Sequence, residues 1–181
     1  MTDNDLEKQA QKAYANKQYR QAAELFETLT GQYADQGDIL NAAEMRNNSS
    51  VAWLQAGEAQ KSLDAALETD QIFSEAGDSK REAMALGNQA AAYEALGNIP
   101  QAILKYQTAA DIFHAIHEED LRVYVLQNLS ALQLKTGDHL QSLASMHNAL
   151  ENKKKLGLKE KFLKKLLRVP FQMIDKNKTN D

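Results

Sequence analysis

The chain has 181 residues, 43% hydrophobic and 25% charged, the composition of a folded protein long enough for one domain or a short array. It has no cysteine, which excludes a disulfide framework, a thiolate nucleophile and a cysteine-based zinc site. The net charge of −4 is uneven: residues 1–150 hold 11 Lys+Arg against 21 Asp+Glu, residues 151–181 hold 10 against 4, and the acidic body argues against nucleic acid as a partner.

The start, Met1-Thr2-Asp3-Asn4-Asp5, is acidic and lacks the apolar run of a signal peptide. No stretch approaches the roughly 18 apolar residues of a membrane span. With the absence of cysteine, which suits a reducing compartment, the expected location is cytoplasmic. Alanine is abundant and strand-type alternation is absent, so the expected elements are helices.

Their bounds come from glycine. Six of the eight glycines, Gly37, Gly57, Gly77, Gly97, Gly137 and Gly157, fall on a 20-residue lattice whose other points hold Lys17 and His117. Glycine most readily ends a helix in the left-handed conformation. The lattice therefore predicts antiparallel helices of about 18 residues (20 per helix and turn) with turns at each point. Residue columns repeat at 40, so two helices make one unit.

The first unit, about 1–37, is the most irregular, with Lys17 in its turn and Ala13 where later units carry Trp53 and Tyr93. The second, about 38–77, opens on Gly37-Asp38, a helix-ending glycine beside an N-cap acid. The third, about 78–117, opens on Gly77-Asp78 and holds a capping-box pattern, Asn98 with Gln101, and Pro100 in a first turn where its missing N–H is harmless. Its second helix carries Ile99, Ala102, Ile103, Tyr106, Ala109 and Phe113 at i, i+3, i+4 spacing, a stripe for a neighbouring helix. The fourth, about 118–157, includes Gly137-Asp138 with Gln141 as a further box. Small residues recur on both helices, as Ala10, Ser50, Ala90, Ser130 and as Ala22, Ser62, Ala102, Ser142, and let the two backbones approach closely.

Beyond Gly157 a last helix is expected over 158–170. Leu158, Phe162, Leu163, Leu166, Leu167 and Val169 form one side, and Lys159, Lys161, Lys164, Lys165 and Arg168 the other; Pro170 disfavours continuation. It reads as the polar-faced cap that an array needs, or as a basic amphipathic helix for an anionic membrane or an acidic partner. Residues 171–181 read as a basic, disordered tail.

These columns resemble the tetratricopeptide repeat, which asks for a small residue, an aromatic, a turn glycine and an alanine at fixed positions. Ala90, Tyr93, Gly97, Ala102, Tyr106 and Ala109 match best. The usual repeat is about 34 residues; the 40-residue spacing here resembles the Pins/LGN-type adaptors. The resemblance implies a right-handed α-solenoid of four helical hairpins plus a C-terminal capping helix. It also implies a concave groove lined by the first helix of each pair. There Asn48, Asn88 and Asn128 share the column whose asparagine, in the family, holds a peptide backbone; Lys8 precedes them. A carboxamide offers both donor and acceptor. The competing reading is that these asparagines stabilise turns between helices. Flanking columns hold Glu44, Met84 and Tyr124; Asn47, Gly87 and Gln127; Val51, Ala91 and Ala131; Leu54, Glu94 and Leu134. The Lys/Arg clamp by which chaperone-binding relatives hold a C-terminal carboxylate is missing from these columns. Arg46, Arg81 and Arg122 are possible contacts for an acidic ligand, or solvated surface.

Catalytic signals are poor. Ser49-Ser50 reads as packing, with no base partner. His114 and His117 share i, i+3 spacing beside Glu118, Glu119 and Asp120, but His117 stands on a turn point, so the rings should diverge and no metal is expected. His139 and His147 read as surface. The expectation is a non-enzymatic, cofactor-free adaptor that binds an extended or helical segment of another protein in its groove, with neither nucleic acid nor membrane as partner. The alternative is a regulatory or oligomerising subunit that docks through the basic last helix to a membrane or acidic surface. The oligomeric state is not legible.

Overall fold

The computed structural model describes residues 3–152 together with 157, 161, 164, 165 and 167. Residues 3–152 form helices joined by short turns: α1 (Asp3–Ala15), α2 (Tyr19–Asp35), α3 (Ile39–Gln55), α4 (Ala59–Ala66), α5 (Thr69–Glu75), α6 (Ser79–Ala95), α7 (Ile99–Ala115), α8 (Glu119–Lys135) and α9 (His139–Asn152). Consecutive helices pack on each other except α4 and α5, which both pack on α3 and α6, and no strand occurs among the described residues.

The turns share one backbone geometry. Lys17, Gly37, Gly57, Gly77, Gly97, His117 and Gly137 all have φ between +60° and +85°. At the first of them the Lys17 N–H donates to Tyr14 O and the Gln18 N–H to Ala13 O, each at 2.9 Å, and every later turn repeats the pair. This is the Schellman arrangement, which satisfies carbonyls that the helix end leaves free. Lys17 and His117 hold it without glycine, at a cost of about 1–2 kcal/mol each for the left-handed backbone. On the other side of the turn Asp38, Asp78 and Asp138 accept from the N–H of Asn41 (3.1 Å), Arg81 (3.0 Å) and Gln141 (3.4 Å). Asn98 makes no such bond, and Pro100 leaves one fewer N–H there to cap.

The core is a seam of small residues flanked by large ones. Ala10 faces α2 through Ala22, and Ala90 faces α7 through Ala102; all four are fully buried. In the other two hairpins the same positions carry serine on both sides. The Ser50 and Ser62 hydroxyls lie 3.0 Å apart, as do those of Ser130 and Ser142. A buried hydroxyl needs a partner, so alanine faces alanine and serine faces serine. Phe73, Phe113, Leu29 and Leu129 fill the space between seams. Tyr106 is buried, while Tyr93 is only half-buried.

The helix expected without interruption between Gly57 and Gly77 is two helices. Leu67 is extended (ψ +140°) and Glu68 is left-handed (φ +67°), so α4 stops at Ala66 and α5 restarts at Thr69. The freed carbonyls are taken by side chains from other elements. Arg46 donates to Ala65 O (3.1 Å) and Leu67 O (2.6 Å), and Gln89 Nε2 and Thr69 Oγ1 donate to Ala66 O (2.9 and 2.7 Å). Thr69 is fully buried, at a position where the other second helices carry Leu29, Ala109 and Ala149.

Of the expected capping helix, Lys161, Lys164, Lys165 and Leu167 are helical. Leu167 is buried, and Lys164 Nζ lies 3.2 Å from Glu151 O. Leu158, Lys159, Phe162, Leu163, Leu166, Arg168, Val169, Pro170 and the tail 171–181 lie outside the described residues.

Candidate functional site

The first helices α3, α6 and α8 bury residues on two sides, because each packs both on its own partner and on the adjacent hairpin. Between these sides one stripe per helix lines a pocket. On α6 it is Met84, Gly87, Asn88 and Ala91, and on α8 Leu121, Tyr124, Val125 and Asn128, both at i, i+3, i+4, i+7. With Val51, Leu54 and Gln55 of α3 these stripes enclose a pocket of about 230 Å³ that Tyr106 and Phe113 of α7 floor. No Asp, Glu, Lys, Arg or His lines it. A second pocket of about 230 Å³ lies between α1 and α3, lined by Gln11, Tyr14, Phe26, Asn48 and Val51. Val51 belongs to both, so the two are stations along one face.

The expected groove residues divide. Met84, Asn88, Ala91, Tyr124, Asn128, Val51 and Leu54 line the first pocket, and Asn48 and Val51 the second. Among the described residues no hydrogen bond involves the carboxamide of Asn48, Asn88 or Asn128, and each is half-buried. Glu44, Glu94, Ala131 and Leu134 lie outside both pockets. Glu44 pairs with Arg81 at 3.0 Å, Glu94 takes the Tyr106 hydroxyl at 3.4 Å, and Ala131 and Leu134 are exposed. Asn47 turns to the interior instead. It is 8% exposed, and its carboxamide lies 3.1 Å from the Thr69 hydroxyl oxygen.

The three arginines are engaged within the chain. Arg46 caps the end of α4. Arg81 bonds Asp78 (2.7 Å) and Glu44 and stands 5.0 Å from the Phe73 ring centre. Arg122 reaches Glu119 at 3.5 Å with its side chain 13% exposed. His117 occupies its turn with φ +60°, and His114 Nδ1 lies 3.3 Å from Glu119 Oε1. No cluster of three or more His, Asp or Glu that could hold a metal exists among the described residues, and none of their helices is long and apolar enough to cross a membrane.

Sequence reasoning overlooked Tyr106 and Phe113 as pocket floor and Tyr14 and Phe26 as its counterpart. Tyr106 and Phe113 fall in the packing stripe of a second helix and are almost wholly buried there, so their spacing marks them as core even though both line the pocket. The phenols carry protons at neutral pH. Burial pushes Tyr106 far above the usual range, with Glu94 and Tyr124 adding to the shift. Burial also raises Tyr14, with Tyr19 and Tyr124 adding. The face thus offers apolar surface, neutral phenols and unpartnered carboxamides.

No protein-family model matches the chain, and no curated protein matches it. Solved structures do. BtubC (BKLC) from P. vanneervenii superposes with a TM-score of 0.74 at 17% identity, over 86% of this chain and 69% of that one. A Podosopora anserina protein described as kinesin light chain, with nearly identical TPR-like repeats, superposes with a TM-score of 0.53 at 17% identity, over 91% of this chain and 92% of that one. Likeness at this identity speaks for the fold, and it agrees with the seams and turns described above: the chain is an all-α helical-repeat solenoid of the TPR-like kind.

Proposed function

We propose that this protein is a non-enzymatic adaptor that binds a segment of another protein along the face of α1, α3, α6 and α8. The observation that carries the reading is the row of Asn48, Asn88 and Asn128 on an uncharged, largely apolar face. Asparagine is a mediocre helix former. Three of them on successive first helices, half-buried and with no partner among the described residues, are carboxamides ready for an external peptide group. That no hydrogen bond ties these side chains to neighbouring helices among the described residues weighs against their acting as structural ties. The 40-residue spacing shared with Pins/LGN-type adaptors points the same way, and a cytoplasmic setting suits it.

The test is the triple variant Asn48→Ala, Asn88→Ala, Asn128→Ala, alongside the unaltered chain, in capture from native lysate followed by calorimetry with the captured partner. The variant should fold with equal or greater thermal stability, since alanine is the better helix former. It should bind more than tenfold more weakly, because each lost hydrogen bond is worth about 0.5–1.5 kcal/mol. Full affinity in a folded triple variant would overturn the proposal.

A second reading has one observation in its favour. Lys161 and Lys165 are exposed on a helix whose Leu167 is buried, so part of the basic segment caps the array while presenting cations outward. Sedimentation with vesicles of anionic lipid, with and without Lys161→Glu and Lys165→Glu, tests docking through that segment.

A further inference from the structure

We infer that the junction between the first two hairpins holds a further binding site, for a small zwitterion of the free α-amino-acid class. The site lies apart from the peptide face, since it shares no lining residue with either pocket there.

It is a pocket of about 370 Å³ between α2 and α4, both of which pack on α3. That size falls within the roughly 300–1,000 Å³ of small-molecule sites. Ser49 of α3 lines it, is fully buried, and has a hydroxyl without a partner among the described residues. A hydroxyl on a helix often returns to a carbonyl one turn back, as Thr30 in the same lining does to Phe26 O at 3.0 Å. The Ser49 hydroxyl does not, and a buried hydroxyl needs a partner. The pocket is where one can enter.

The repeat supplies the comparison. Ser49 stands where the next two units carry Gln89 and Leu129, both larger and both buried. The fold is therefore served by a bigger side chain at this position. At the next junction Gln89 Nε2 donates to Asp70 Oδ1 at 2.8 Å, and Lys105 Nζ pairs with Asp70 Oδ2 at 3.3 Å. The polar groups there answer one another within the chain.

At the first junction they do not. Four charged side chains line the pocket, two of each sign, and among the described residues no ion pair joins any two of them. Arg46 rests its Nε and Nη2 on Ala65 O and Leu67 O, which fixes the guanidinium and leaves the Nη1 hydrogens unused. The Lys61 ammonium stands 4.2 Å from the Trp53 ring centre and meets no carboxylate among the described residues. Glu27 Oε1 accepts from Trp53 Nε1 at 2.7 Å and Asp64 Oδ1 from Gln60 at 2.8 Å, so each carboxylate keeps its other oxygen for a ligand. A plain anion would gain from Arg46 and Lys61 and be opposed by Glu27 and Asp64, and a plain cation the reverse. A molecule with both a carboxylate and an ammonium group is met on both counts, and the Ser49 hydroxyl can donate to one or accept from the other.

Trp53 is the chain's single tryptophan and touches two of these groups, so its fluorescence reads occupancy. The probes are the common L-amino acids, each titrated singly to millimolar concentration into the full chain and followed by Trp53 emission and by calorimetry. At least one should bind saturably. Its N-acetyl derivative and its methyl ester, each lacking one charge, should bind at least tenfold more weakly, and inorganic phosphate should not displace it. Ser49→Leu, the residue type this column holds at Leu129, should abolish binding with circular dichroism unchanged. Should that variant unfold, the double variant Glu27→Gln, Asp64→Asn decides instead: it keeps acceptors for Trp53 and Gln60, removes two charges from exposed positions, and should bind at least tenfold more weakly. No saturable binding of any probe would overturn the inference, water alone then serving Ser49. Equal affinity for the N-acetyl derivative, or displacement by phosphate, would overturn it in favour of a plain anion site. Undiminished binding to the folded pocket variants would overturn it by placing the ligand elsewhere. None of these results bears on the peptide face, which the asparagine variant tests separately.

Discussion

Gly87→Ala separates what the groove needs from what the fold needs. Gly87 lies inside α6 with ordinary helical φ, where glycine costs about 1 kcal/mol relative to alanine. A Cβ built there meets only Val125 Cγ2, at 4.0 Å, which is normal van der Waals contact. Nothing in the fold resists the methyl, so the variant should gain ~0.8–1 kcal/mol. For a chain of this length that raises the melting temperature by about 2–4 °C. Gly31→Ala is the control: it lies inside α2, is exposed and has nothing within 4 Å of its Cβ, so it should gain a similar amount. The two differ in where the methyl points, since Gly87 lines the pocket between α3, α6 and α8 and Gly31 lines none of those described. Urea unfolding followed by circular dichroism measures the first effect, and calorimetry with the partner captured from native lysate measures the second. Gly87→Ala should bind more weakly while being more stable, and Gly31→Ala should bind unchanged. Loss of stability in Gly87→Ala would refute the space assigned over Val125. A stabilised variant with full affinity would refute close approach of a ligand to the α6 backbone.

Other perturbations probe the seams and caps. Ser50→Ala should cost about 1–3 kcal/mol by stranding the Ser62 hydroxyl. Adding Ser62→Ala should recover most of that, because Ala10/Ala22 and Ala90/Ala102 pack the same seam with methyls; a double-mutant cycle reads the coupling. Arg46→Met should destabilise by about 1–3 kcal/mol through the uncapped carbonyls of Ala65 and Leu67, and an unchanged urea midpoint would contradict its capping role. The Asp78 carboxyl is held below its usual range by the Arg81 N–H, against an opposing desolvation, with the Arg81 side chain and charge assisting. A pKa lowered on folding stabilises above the unfolded value of about 3.9 and is lost as pH falls through the folded one. Asp78→Ala should therefore cost about 1 kcal/mol at pH 7, and unfolding curves should show that deficit shrinking as the pH falls below about 4.

Some of this protein was legible in the chain alone, for a physical reason. Every turn closes with bonds that reach back three and five residues, so glycine at a regular interval announces it, and the interval itself carries it across Lys17 and His117. The seam was equally legible, because small residues recurred on both helices at one spacing. That serine faces serine was seen only in the docked hairpins, where the hydroxyls of Ser50 and Ser62, and of Ser130 and Ser142, meet. The asparagine column drew attention to a face, yet which neighbour turned outward was another matter. Asn47 and Asn48 are adjacent and alike, and only the packing of α3 against α5 put the first on Thr69 and left the second in a pocket. The break at Leu67–Glu68 was hidden in the same way. It has no glycine, and it exists because Arg46 and Gln89, 21 and 23 residues distant from the carbonyls they cap, replace the helix's own hydrogen bonds. Its one trace in the sequence was Thr69 in a column otherwise filled by leucine and alanine. The fates of Arg81 and Arg122, and the opening between α6 and α8 that Tyr106 floors, likewise depended on side chains meeting across helices. Hydrogen bonds within one turn follow from neighbouring residue types, whereas partners a hairpin apart are chosen only when the helices have docked.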